Sequence, residues 1–114
     1  MGTLTAIRYR AEPQRSLAFG SIGATYMGIG ASLSRPIIQY FVQNGTDAWL
    51  QFSFDGVNDH FPLPPNGFFL SDVSSNQSGR AQGLLLAEGE RFYVKQIGTP
   101  TTGNVYVSTF YGGS

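Results

Sequence analysis

The chain has 114 residues, with 7 basic and 7 acidic side chains and a formal net charge of zero. Charged residues make up only 12%, against a usual share of roughly 25%, while 15 glycines, 6 prolines and 14% aromatics accompany a complete lack of cysteine. This length fits one domain, and the composition excludes intrinsic disorder, a disulfide framework, thiol catalysis and thiolate metal sites. A neutral chain is not expected to bind nucleic acid through phosphate neutralisation. No apolar run approaches the roughly 18 residues of a membrane-spanning helix, and no basic segment precedes an apolar one at the start, so neither a membrane partner nor an obvious export signal is expected.

The punctuation argues against helices. The longest stretch without Gly or Pro is Phe68 to Ser78, whose second half is loop chemistry. Short runs bounded by turn residues read instead as strands. Leu4 to Tyr9 and Ser21 to Ile29 are the first two, the second weakened by Gly23 and Gly28. Pro36 to Gln43 is too apolar for clean alternation and is expected to be buried on both faces. Asn44-Gly45-Thr46-Asp47 then predicts a hairpin into Ala48 to Phe54. There Leu50, Phe52 and Phe54 point inward, while Trp49, Gln51 and Ser53 point outward. Phe68 to Asp72 follows the turn Pro64-Pro65-Asn66-Gly67, and Gly83 to Ala87 is a short apolar run. Arg91 to Ile97 turns Phe92 and Val94 inward. Asn104 to Tyr111 sets Val105, Val107 and Thr109 against Tyr106, Ser108 and Phe110. About eight short strands at roughly ten-residue spacing predict a single all-β domain, an antiparallel sandwich or barrel, over residues 1–114.

The polar surface is mostly uncharged: Ser, Thr, Asn and Gln number 11, 8, 5 and 7. Low charge with abundant Tyr and Phe suits a surface held against other protein, although a small sandwich with a Thr-rich exterior gives the same composition. The charges are also segregated. Residues 1–35 hold Arg8, Arg10, Arg15 and Arg35 against Glu12 alone, and residues 36–72 hold Asp47, Asp55, Asp59 and Asp72 with no basic residue. Arginine is favoured at interfaces for its planar fork and weak hydration. Arg8, Arg10, Arg15, Arg35, Asp47, Asp55 and Asp59 are therefore the candidate interface residues, with an N-terminal arm over about residues 1–15 reaching an acidic face of a neighbour. The competing expectation is that these charges pair within the chain.

No catalytic set stands out, and the chain is not expected to be an enzyme. His60 is the only histidine. Adjacent strand residues face opposite ways, so Asp59 is poorly placed to orient it as a triad requires. Asp55, Asn58 and Asp59 lack the calcium-loop spacing and a following bidentate Glu, and turn formation explains them better. The glycines at 20, 23, 28 and 30 lack the Lys-Ser or Lys-Thr of a phosphate loop. Trp49, Tyr93, Tyr106 and Tyr111 could form a stacking platform for sugars, but aromatics at strand spacing more often serve core or interface. No cofactor is expected.

Two sets of residues do resemble a known group. Phe41-Val42-Gln43-Asn44-Gly45-Thr46-Asp47, followed by Phe52-Ser53-Phe54-Asp55-Gly56-Val57-Asn58-Asp59-His60-Phe61-Pro62-Leu63-Pro64, is similar to segments of small structural proteins of tailed bacteriophages. Tyr93-Val94-Lys95, Gly98 to Gly103 and Val105-Tyr106-Val107-Ser108 look similar to theirs too, with weaker support from Arg15 to Gly20. The resemblance runs from about residue 36 to the end. It implies a virion component with a jelly-roll-like β-sandwich, forming homo-oligomers and binding the major capsid protein or other virion proteins. Decoration (cement) proteins of this class clamp neighbouring capsid subunits; similar sandwiches also occur in tails and necks. A carbohydrate-binding module is the reading from a different class.

Overall fold

The computed structural model describes residues 8–72 and 89–113. Nine strands fill that span: β1 (Arg8–Ala11), β2 (Arg15–Ala18), β3 (Met27–Gly28), β4 (Gln39–Asn44), β5 (Leu50–Ser53), β6 (Phe61–Leu63), β7 (Phe68–Asp72), β8 (Tyr93–Gln96) and β9 (Asn104–Gly113). A single 3-10 turn, Phe19–Ser21, separates β2 from β3, and no α-helix occurs among the described residues. All strand pairs are antiparallel. One sheet runs β1-β9-β4-β7 with β2 also on β9, and the other runs β3-β8-β5-β6.

The pairing is nested. β1 and β2 pair with the last strand, β3 with β8, β4 with β7, and β5 with β6. The chain thus behaves as one long ribbon folded at β5–β6 and wrapped so that successive pairs fall in alternate sheets. With β1 and β2 counted as one interrupted strand, this is an eight-stranded jelly roll. The all-β sandwich expected from the strand spacing is what forms.

Alternation supplies the core. Val42, Leu50, Phe52, Val94, Val105 and Val107 project between the sheets and are almost completely buried, joined by Ile29 and Ile37 from the connecting loops. Each such side chain contributes roughly 1.5–3 kcal/mol of burial. Tyr40, Phe54 and Phe92 close one end of that core with ring centroids 5.3–5.6 Å apart.

Several local expectations need correction. Residues 39–44 alternate, with Tyr40, Val42 and Asn44 buried and Gln39, Phe41 and Gln43 half-buried. β4 is not buried on both faces, because only one face meets the second sheet. Asn44-Gly45 is not a hairpin either, since β4 and β5 lie in different sheets. The segment is a corner between layers, and Gly45 is needed there because a Cβ would sit 2.6 Å from the Asn104 carbonyl oxygen. Of Ser21 to Ile29, only Met27 and Gly28 form a strand. Of Leu4 to Tyr9, the described residues Arg8 and Tyr9 belong to β1, which continues to Ala11. β2 and β6 were not foreseen. Leu4 to Ile7 and Gly83 to Ala87 lie outside the described residues.

Candidate functional site

The most elaborate polar feature grows from an irregularity in the first strand. Ala11 stands opposite Phe110 and Arg15 opposite Val107, so three residues, Glu12 to Gln14, face two on β9. This is a β-bulge, and it shifts the side-chain alternation by one. In a regular strand residues 12 and 15 would point to opposite faces. The bulge turns both inward, where Glu12 is 7% exposed and Arg15 9%.

Their groups satisfy one another. Arg15 Nη2 lies 3.0 Å from Glu12 Oε1, and Arg15 Nη1 donates to Thr109 Oγ1 at 3.0 Å. Thr109 in turn donates to Glu12 Oε1 at 2.9 Å. Ser34 Oγ donates to Glu12 Oε2 at 2.5 Å, and Arg15 Nε donates to the Ala31 carbonyl at 2.8 Å. Burial alone would raise the Glu12 carboxyl, but the hydrogen bonds from Ser34, Thr109 and Arg15, with the Arg15 charge, hold it below its ordinary value. An open cleft of about 420 Å³ lies over this pair, walled by Pro13, Gln14, Gly30 and Ser32. Because every charged atom at its floor already has a partner, the cluster's evident work is to tie the 31–35 loop to β9.

The candidate interface charges divide accordingly. Arg15 is committed to Glu12. Arg35 lies 3.8 Å from Glu12 Oε2 and 4.3 Å over the Tyr111 ring. Residues 8–11, placed by the sequence in a free arm, are instead a strand paired to β9, with Arg8 opposite Gly113 and Arg10 opposite Tyr111. Arg10 is exposed. The acidic candidates sit in two loops, Asp47 between β4 and β5 and Asp55 and Asp59 between β5 and β6. Asp47 accepts from the Thr101 hydroxyl and backbone, bonds that lower its pKa. Asp55 accepts from the backbone N–H groups of Asn58 and Val57, which depress its carboxyl strongly. Asp59 accepts from Tyr26 at 2.5 Å and lies 3.2 Å from Lys95, and both lower its pKa. Among the described residues, the acidic and basic groups thus form no single shared site.

Ser53, Asp55 and His60 do come together, but not as a triad. Ser53 Oγ is buried and donates to Asp55 Oδ1 at 2.8 Å. His60 Nδ1 accepts the Phe54 N–H at 3.0 Å. The nitrogen nearest the hydroxyl is therefore occupied and cannot serve as base. The aromatic platform is dispersed as well. Trp49 and Tyr93 share the outer face of the second sheet but are separated along it by Gln51 and Lys95, whereas Tyr106 belongs to the other sheet.

The outer face of the first sheet was not anticipated. Phe41 stands opposite Leu70 in the β4–β7 register, and its ring packs 5.5 Å from Phe68. Phe68 is 64% exposed and Leu70 55%. A signal existed in the sequence: three consecutive apolar residues in a strand, Phe68-Phe69-Leu70, must place two on one face and one on the other. Phe69 takes the inner face against Tyr40 and Phe61. Comparison with known proteins gives no matching family model, no matching curated protein and no matching solved structure.

Proposed function

We propose that this protein is a bacteriophage virion structural protein, a capsid decoration protein that binds and stabilises the head shell as a homo-oligomer on the major capsid protein. The observation that carries the reading is the outward face of β4 and β7, where Phe41, Phe68 and Leu70 form an apolar strip. A strip of this kind suits subunit contact rather than chemistry. The jelly roll agrees with it as an analogy of architecture, since the same fold serves viral capsids and lectins alike. The sequence resemblance to phage structural proteins supplies the particular assembly.

Co-sedimentation with undecorated heads and with isolated tails tests the proposal. The protein should pellet with heads, and Phe68→Ser/Leu70→Ser should lose that attachment while keeping its melting temperature. Attachment to tails alone, or to neither particle, overturns it. Sugar-dependent quenching of Trp49 fluorescence, without particle binding, would favour the carbohydrate-binding reading.

A further inference from the structure

Two Asn-Gly dipeptides meet at one corner of the sandwich, Asn44-Gly45 and Asn66-Gly67, joined by the Asn66 N–H donating to the Asn44 carbonyl at 2.8 Å. They are chemically alike and structurally opposite. Asn44 is 1% exposed. Its Nδ2 donates to the carbonyl oxygens of Ala48, Leu63 and Pro64 at 2.8–3.1 Å, and its Oδ1 accepts from the Thr46 N–H and hydroxyl. The Gly45 N–H is engaged by the Asn104 carbonyl at 2.9 Å. Asn66 is exposed, and its side chain has no hydrogen-bond partner among the described residues. It is also the only non-glycine described residue with positive φ, at 64°, at the tip of the Pro64–Gly67 turn.

We propose that Asn66 is a site of spontaneous deamidation, and that Asn44 is protected by the fold. Glycine has no side chain to hinder the approach of its backbone nitrogen to the preceding amide. At Asn66 the attacking Gly67 N–H is held by the Pro64 carbonyl, 2.9 Å away in the same turn, and the Gly67 carbonyl accepts the Asn44 N–H at 2.8 Å, so a local opening of this turn frees the nitrogen. The nitrogen gives its proton to solvent base and attacks Asn66 Cγ. A new N–Cγ bond forms, the Cγ–Nδ2 bond breaks, and the side-chain nitrogen leaves as ammonia with a proton from solvent. Water then opens the succinimide. Addition at Cγ gives aspartate in the original backbone, and addition at the main-chain carbonyl carbon gives isoaspartate. Either product places a carboxylate on the corner that already carries Asp47, and isoaspartate also lengthens the turn backbone. At Asn44 the same attack requires breaking the corner itself, an opening much closer to global unfolding.

The test is incubation of the folded full chain in mildly alkaline buffer, followed by peptide mapping. No Lys or Arg lies between Arg35 and Arg80, so trypsin leaves both sites in one peptide and cleavage at aromatic residues is needed. Conversion at Asn66 should outpace that at Asn44 by at least about tenfold in the folded chain, and the two should be comparable in denaturant. Asn66→Gly, which tolerates the positive φ, should remove the acidic variant from ion exchange. Equal rates at the two sites in the folded chain, or an acidic variant undiminished in Asn66→Gly, would overturn the proposal.

Discussion

Glu12 and Asp55 each gather a loop around a carboxylate, but Glu12 is buried beside two arginines, whereas Asp55 is exposed and held by backbone N–H groups two and three residues away. The partners of Glu12 come from far along the chain: Ser34 lies 22 residues away and Thr109 lies 97. One carboxylate therefore cross-links the first strand, the last strand and a connecting loop, while the other shapes a single turn. A buried charge is tolerated only with all its partners present, so its removal propagates. An exposed cap can be replaced by water.

The largest effect should follow from removing one half of the buried pair. Glu12→Ala leaves Arg15 inside without its carboxylate, at a cost of about 3–5 kcal/mol. Thermal and denaturant melts of the full chain measure it. The double variant Glu12→Gln/Arg15→Met should recover much of the loss, because the charge stranded by the single change is gone. A double variant as unstable as Glu12→Ala would show that the cluster is not acting through its charges.

Acid should act on both kinds of carboxylate together. Glu12, Asp47, Asp55 and Asp59 all have folded pKa values below the ordinary 4.5 and 3.8. As pH falls the unfolded chain takes up these protons first, so the stability they contribute is present above the ordinary values and drains away as pH falls through the lowered ones. Tyr26 behaves oppositely. Burial and its bond to Asp59 raise it, so its contribution is present below pH 10.0 and is lost as pH rises through the folded value. Melting temperature should hold level between these limits and fall outside them. A decline beginning near neutrality would contradict the scheme.

The contrast also shows what a sequence can reveal. The inward faces of β5, β8 and β9 were legible because Leu50, Phe52, Val94, Val105 and Val107 follow the two-residue period of a strand with one buried face. β2 was not, because its inward positions are Arg15 and Leu17, and a buried arginine reverses the expected pattern. Its face is set by the bulge at Glu12 to Gln14, and nothing local in Glu-Pro-Gln announces which partner strand will miscount. β6 was hidden by Pro62, which breaks strand patterns in general but is accommodated here because β6 is the edge of its sheet. Asp55 was read correctly as a turn former, since its partners are adjacent in sequence. Local chemistry was visible, and chemistry assembled across 97 residues was not.

Removing Asp55 should have a smaller and more confined consequence than removing Glu12. Asp55→Ala deprives the Val57 and Asn58 N–H groups of their acceptor, and the Ser53 hydroxyl of its partner. Amide exchange should accelerate at residues 57 and 58 and stay unchanged in β4 and β9. Faster exchange across both sheets would mean that the loop braces the sandwich after all.

Arg10→Ala should produce the smallest change in stability and gives the sharpest test of which charges remain for a partner. Arg15 and Arg35 are both drawn to Glu12, Arg15 inside the fold and Arg35 from the surface, so two arginines of the basic N-terminal region already have an acidic partner within the chain. Arg10 is exposed in β1 with no ion pair among the described residues. Surface changes of this kind stay within about 0.5 kcal/mol of stability. The same guanidinium keeps its charge and its fork for a carboxylate on another subunit. Under the proposed decoration role, Arg10→Ala should melt like the parent protein and yet bind undecorated heads more weakly, with a difference that shrinks as salt screens the contact. Arg35→Ala provides the comparison: loss of its Tyr111 contact and its approach to Glu12 should lower the melt. Unchanged attachment in Arg10→Ala would remove this arginine from the interface and shift the weight of attachment to the apolar strip at Phe68 and Leu70, while a lowered melt would show that the residue serves the fold rather than a partner.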